Sequence, residues 1–271
     1  MKILVLLVLS ATLLSCNKKD SQPESNMQDT TATSNISTPI ESETEADTIS
    51  YDTIVVPNKN EADYAVKILS EGFFHGDEVW DYAADMKWFG LFSGKDGYYI
   101  ANTEITVKNV NDPVLDETEN DKTGKEVKAS VKDTALVLIS GSEFITPHKV
   151  QSFAPKKTEL LPNEKVEFSF KGKNYRIYAK SKDYSHGKEI VNYKLYITDG
   201  TATTLLTALP QFDDTMVQIL FIGDIDGDDI PDLLLDNTSH YNVSSPTLYL
   251  SKPADEKELV KPVSIHTSVG C

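Results

Sequence analysis

Asp224, Asp226, Asp228 and Asp232 stand at positions 1, 3, 5 and 9 of one short stretch, Asp-Ile-Asp-Gly-Asp-Asp-Ile-Pro-Asp. Side chains at every second residue of a tightly curled loop converge on one point. Four carboxylates gathered there without a counter-charge repel one another strongly. A hard divalent cation removes that cost. Ca2+ takes roughly six to eight oxygen ligands in a flexible arrangement, and the backbone carbonyl of Ile230, at position 7, adds to the set. Mg2+ demands tighter octahedral geometry and keeps its water, which makes it the second choice. The candidate metal ligands are therefore Asp224, Asp226, Asp228, Ile230 and Asp232. The competing reading is a solvated acidic turn that holds no ion.

No comparable constellation for covalent or acid–base chemistry stands out. The histidines His75, His148, His186, His240 and His266 are scattered, no G-x-S-x-G occurs, and no cysteine is available as a nucleophile. Glu71, His75, Asp77 and Glu78 do crowd together, which suggests a metal or acid–base cluster. They lack an H-E-x-x-H spacing, however, and lie around Gly72 and Gly76, in a loop where polar residues sit by default. No catalytic residue is assigned. The aromatic stretch holding Trp80, Tyr82, Trp88, Phe89 and Phe92 reads as the core of a β-rich domain in preference to a groove for sugars or peptides. His240, Tyr241 and Asn242 read as a turn.

The Asp-rich loop departs from the helix-flanked EF-hand. Position 12 is Leu235 where a bidentate Glu belongs, and strand-like apolar runs flank the loop on both sides. Over residues 218–236 it resembles the strand-loop-strand calcium sites of FG-GAP (VCBS-type) repeats, whose signature is D-x-D-G-D-G-x-x-D followed by apolar residues. Asp229 occupies a position where that family has Gly. Asp tolerates a left-handed backbone better than most residues, so the loop can still close. The resemblance implies a structural calcium ion that staples a hairpin. A single copy is present, and a full propeller, which needs at least about four blades, is not expected.

The elements that must position this loop are short strands. Residues 166–170 and 175–179 alternate about a Lys171-Gly172-Lys173-Asn174 turn, and 191–197 and 203–209 about Asp199-Gly200. Residues 216–222 and 233–235 flank the Asp loop, and 247–250 follows. Earlier in the chain, 98–107 and 135–139 read as strands. Residues 61–70 place Ala62, Ala65, Val66 and Leu69 at helical spacing, and 111–133 reads as a long exposed connection. The predicted fold is mainly β with minor α, an α+β chain built as an antiparallel sheet or sandwich with the calcium hairpin near the C-terminus. Composition divides it into an N-terminal α+β region, 53–155, and a β-rich region, 156–271.

A second motif concerns location. Lys2 precedes an apolar run over 3–14, too short for a bilayer crossing that needs about 20 residues, so 1–15 reads as a signal peptide. Leu13-Leu14-Ser15-Cys16 resembles the lipobox of bacterial lipoproteins. The resemblance implies cleavage before Cys16 and lipidation of that residue as a membrane anchor, with palmitate among the acyl chains. More than one chain is needed for lasting attachment. Asn17 is not the Asp that retains some lipoproteins at the inner membrane, which favours the outer membrane. Residues 16–52 continue as an acidic, Ser/Thr-rich linker, a spacer with too little apolar surface to fold. With Cys16 acylated only Cys271 is left, so no intrachain disulfide forms. Pairing with another chain and an inert terminus both stay open.

The net charge of -16 concentrates in the linker and the Asp loop, and no basic stretch is large enough to grip a phosphate backbone, so nucleic acid is excluded as a partner. The expected partners are the lipid bilayer, through Cys16, and a protein or a glycan. The leading expectation is an envelope lipoprotein whose calcium-stabilised β domain has a binding or structural role. The alternatives are a hydrolase of envelope or extracellular polymers, and a small subunit of a larger envelope assembly.

Overall fold

A strand with apolar residues on alternate positions needs one partner layer, and a strand apolar at every position needs two. Both kinds are present, and their order in space follows from that difference. The computed structural model describes residues 50–182, 184–185 and 189–270. The 1–15 leader, Cys16, the linker as far as residue 49, His186 and Cys271 lie outside the described residues.

The first eight strands are β1 (Lys67–Leu69), β2 (Gly72–Phe74), β3 (Trp88–Gly94), β4 (Gly97–Thr103), β5 (Ile105–Val110), β6 (Gly124–Ala129), β7 (Thr134–Ser140) and β8 (His148–Val150). Next come β9 (Lys165–Phe170), β10 (Lys173–Lys180), β11 (Val191–Thr198) and β12 (Thr203–Gln211). The remainder are β13 (Gln218–Gly223), β14 (Asp232–Asp236), β15 (Val243–Ser244), β16 (Pro246–Leu250), β17 (Lys261–Ile265) and β18 (Ser268–Val269). They form a five-stranded sheet in the order β1-β7-β3-β4-β8, a three-stranded sheet β2-β6-β5, and a four-stranded sheet β12-β11-β10-β9. A second four-stranded sheet, β13-β14-β16-β17, and a small β15-β18 ribbon complete the fold. Among the described residues every pairing between these strands is antiparallel.

The β13-β14-β16-β17 sheet is the inner layer. Ile219, Ile222, Leu233, Leu235 and Tyr249 pack against Ile177, Tyr193, Leu195 and Ile197 of the β9–β12 sheet. Phe221, Leu234, Leu248 and Leu250 pack the opposite way, against Leu91, Ile100, Val137 and Ile139 of the five-stranded sheet. This is why the run Leu233-Leu234-Leu235 has no polar member: successive side chains enter different cores. The five-stranded sheet is likewise covered twice, since Leu69, Trp88 and Leu138 turn away to meet Ile105 and Val127 of the three-stranded sheet. The apolar clusters therefore join residues from both sides of position 155.

The mainly β, antiparallel expectation holds, but the minor α component does not. Among the described residues there are only two single 3-10 turns, Glu61–Asp63 and Ala83–Asp85. Residues 61–70, expected as a helix, instead form one turn capped by Asn60 and then strand β1, in register with β7 from Lys67↔Ser140 to Leu69↔Leu138. The helical spacing misleads because Ile68 and Leu69 are both buried, one in each adjoining core, while Ala62 and Ala65 stay exposed. A short isolated helix is also costly to nucleate. The 111–133 stretch is not wholly a connection either. Strand β6 lies within it, pairs with both β2 and β5, and buries Val127 completely.

Before β1 the chain runs beside the β9–β12 sheet. Val56 exchanges backbone hydrogen bonds with Ala208 (3.0 and 2.9 Å), and Asn192 holds Ser50 O and Asp52 N, both at 2.7 Å. Ser50 and Asp52 belong to the compositional linker.

Candidate functional site

Strand β13 delivers the Asp-rich loop and β14 takes it up again, with Gly223 paired to Asp232 across the mouth. Gly223 can only be glycine there, because a Cβ would stand 2.6 Å from the Gln151 carbonyl oxygen. The loop is docked on the segment that follows β8. Asp224 N donates to Gln151 O (3.0 Å), Phe153 N donates to Ile222 O (2.9 Å), and the His148 Nε2 atom lies 3.1 Å from Asp224 O. Two left-handed residues close the curl, Gly227 (φ 80°) and Asp229 (φ 68°). Asp229, the departure from the resembled pattern, thus takes the conformation that Gly would, and its exposed carboxylate pairs with Lys171 at 2.7 Å.

The curl brings Asp224, Asp226 and Asp232 together. All three are buried, and each offers a carboxylate oxygen within 4.8 Å of the others. Asp228 is outside this group; its Oδ1 accepts the Ile230 N–H (2.8 Å), and both residues are half-buried. The converging carboxylates are oriented by backbone amides. Asp224 Oδ1 accepts from Gly227 N (2.7 Å) and Asp228 N (2.9 Å), and its Oδ2 from Asp229 N (3.1 Å). Asp232 Oδ2 accepts from Ile225 N (2.6 Å) and Asp226 N (2.9 Å), and its Oδ1 from Ser251 N (2.7 Å).

Two residues with no sequence signature complete the surroundings. Ser251, just past β16, places its Oγ 3.5 Å from both Asp226 carboxylate oxygens, and Lys252 N donates to Asp226 Oδ2 (3.0 Å). The Lys252 ammonium donates to the Asp226 carbonyl oxygen. They stand 19 to 26 residues from their partners, and only the β14–β16 pairing brings them near.

The electrostatics follow from burial. Loss of solvent, then the charges of Asp228 and Asp224, push the Asp226 carboxyl up to about 6, against the opposing hydrogen bond from Lys252. Burial and the Asp226 charge raise Asp232 well above the ordinary carboxylate range. A neighbouring cation would favour the charged forms and pull both values back down. The donor set is all hard oxygen, which suits Ca2+ or Mg2+ and not a softer ion.

The Glu71–Glu78 stretch is arranged differently. Glu71 accepts from Ala129 N (2.7 Å) and Ala135 N (3.3 Å), stitching β6 to β7. Glu78 accepts from His75 N (3.0 Å) and from Val269 N (2.6 Å) in β18. His75 Nδ1 meets Asp112 Oδ2 at 2.5 Å, while Asp77 is exposed. That contact holds the His75 ring above its usual pKa and the Asp112 carboxyl below its own. Trp88 and Phe92 are core residues, and the Trp88 indole donates to Ala83 O (2.7 Å). The exposed His240 pairs with Asp213 (3.1 Å) and stacks on Tyr241.

Compared with protein-family models, curated proteins and solved structures, the chain matches none.

Proposed function

We propose that this chain is a lipid-anchored protein of the bacterial cell envelope, outer membrane favoured, whose β domain is held together by a calcium ion in the 224–232 loop. Its role is binding or structural and not catalytic. The observation that carries the metal reading is the convergence of Asp224, Asp226 and Asp232, buried and within 4.8 Å of one another. Asp228 and the Ile230 carbonyl are proposed to join them when the ion is bound. The FG-GAP-like reading is supported by the loop's position between the first two strands of a four-stranded antiparallel sheet, the strand count of a propeller blade. The anchor reading rests on the 1–16 sequence alone. Against the hydrolase alternative, Glu71 and Glu78 are taken up by backbone amides.

An ion bound only by the folded form adds about 2.7 kcal/mol at a hundredfold excess over its Kd. Thermal unfolding with calcium and then with excess chelator tests this. The expected drop in Tm is roughly 5–10 °C for a chain of this size, and an unchanged melt rejects the ion. For the anchor, Cys16→Ser is expected to move the protein from the membrane to the soluble fraction. Retention on the membrane refutes lipidation at this residue.

A further inference from the structure

We propose that the outer face of the β9–β12 sheet, centred on Arg176, binds the carboxylated sugars of an acidic polysaccharide. This deepens the binding role proposed above and rests on it, but it uses none of the calcium ligands.

Arg176 is the only arginine in a sequence with 26 basic residues; all the others are lysine. A chain that meets its need for surface charge with lysine has one guanidinium, and lysine does not substitute for its planar fork, which grips a carboxylate through two parallel hydrogen bonds. Strand alternation fixes which way it points. Tyr175, Ile177 and Ala179 of β10 enter the core, so Arg176, Tyr178 and Lys180 face away from it. The register places Lys165 and Tyr196 on either side of Tyr178, and Lys194 beside Lys180.

Among the described residues Arg176 has no ion-pair or hydrogen-bond partner for its side chain. The carboxylate across from it, Glu167, is held by Lys165 Nζ at 2.8 Å. The guanidinium instead lies 5.1 Å from the Tyr178 ring centre, with Lys180 Nζ 5.5 Å from the same ring, and Tyr178 stacks on Tyr196 at 5.2 Å. Arg176 forms a shared wall of two cavities. One, of about 340 Å³, is lined also by Lys165, Tyr178 and Lys180. The other, of about 590 Å³, adds Ser169 and Asn174, joined by a 2.6 Å hydrogen bond, and Thr198, whose hydroxyl donates to Ala202 O (2.6 Å). A guanidinium fork for a carboxylate, aromatic carbon for a sugar's C–H face and neutral polar groups for its hydroxyls are therefore adjacent.

The charge pattern selects this occupant over denser polyanions. Glu164 and Glu167 interrupt the cations in the cavity walls, and the larger cavity sets Glu167 and Asp199 against Arg176, its one cation. Duplex DNA presents one charge about every 1.7 Å and calls for an unbroken cationic track. An anionic bilayer rewards each surface lysine or arginine by about 1 kcal/mol, a gain that interleaved carboxylates oppose. A glycan with at most one carboxylate per sugar matches cations spaced by acids.

The test uses the purified full-length chain, kept in calcium, titrated calorimetrically with a hyaluronan hexasaccharide and with its methyl ester. Saturable binding of the acid, lost in the ester, is expected. Arg176→Lys should weaken it at least tenfold with Tm and calcium response unchanged, and Tyr178→Ala at least tenfold with the calcium response unchanged. Absence of binding, equal affinity for the ester, or full affinity in Arg176→Lys overturns the proposal. So does binding of single-stranded DNA or phosphatidylglycerol vesicles through Arg176 in place of the sugar. Failure here with an intact chelator response leaves the calcium reading standing, and the converse result leaves this site standing alone.

Discussion

Two acid-rich stretches, 71–78 and 224–232, look alike in composition and behave in opposite ways. In the first, Glu71 and Glu78 reach outward to amides on other strands, and each carboxylate ends as an anchor between sheets. In the second, the chain curls through Gly227 and Asp229 and turns three carboxylates inward on one another. Acid density alone therefore says little about a site. What separates the two is alternate spacing on a loop closed by a left-handed backbone and walled in by apolar strands.

Substitutions can break this contrast. The largest effect is expected from Asp232→Ala, which strands the buried N–H groups of Ile225, Asp226 and Ser251. At about 1–3 kcal/mol for a stranded group, partly relieved by relaxation, a loss of roughly 3–5 kcal/mol is expected in urea unfolding, together with loss of the calcium response. Glu71→Ala removes the acceptor for two half-buried amides. It should cost about 1–2 kcal/mol and leave the calcium response intact. A calcium response altered by Glu71→Ala and spared by Asp232→Ala would reverse the comparison.

The pH dependence sharpens it. The folded-state pKa of Asp226, about 6, lies above its ordinary value of 3.8, so the folded form binds protons more tightly than the unfolded chain. Without metal, stability is therefore expected to rise as pH falls from 7 to 5, by about 1 kcal/mol from Asp226. With calcium the trend should invert, because protons then compete with the ion. Chemical denaturation at the two pH values, with calcium and with chelator, reads this directly, and identical slopes would remove the electrostatic argument. The smallest effect is expected at Asp77. It is exposed, and Asp77→Asn should change stability by less than about 0.5 kcal/mol.

How much of this was legible in the sequence varied with the range of the forces involved. Strands β9 and β10 could be read because buried and open positions alternate in each about the Lys171-Gly172 turn, so alternation and punctuation agree. The convergence of Asp224, Asp226 and Asp232 could be anticipated from their alternate spacing, whereas Asp228 stands outside that group. β1 could not, since Ile68 and Leu69 enter different cores and the strand it pairs with, β7, lies more than sixty residues away in sequence. β6 was hidden by Lys125, Glu126 and Lys128 around one fully buried apolar side chain, Val127. Nothing local marks Ser251, Lys252, His148 or Gln151 as neighbours of the Asp loop, because strand pairing and sheet stacking put them there. Arg176 did leave a trace, as the only residue of its kind, but its surroundings come from the register of three strands.

The stacking order also bears on how the chain completes itself. The layer between the β9–β12 sheet and the five-stranded sheet comes from residues that follow both in the chain. Until strands β13 to β17 arrive, each earlier sheet holds an oily surface open with nothing to close it. A chain cut short before residue 218 would leave both surfaces exposed, and such species are prone to stick to each other.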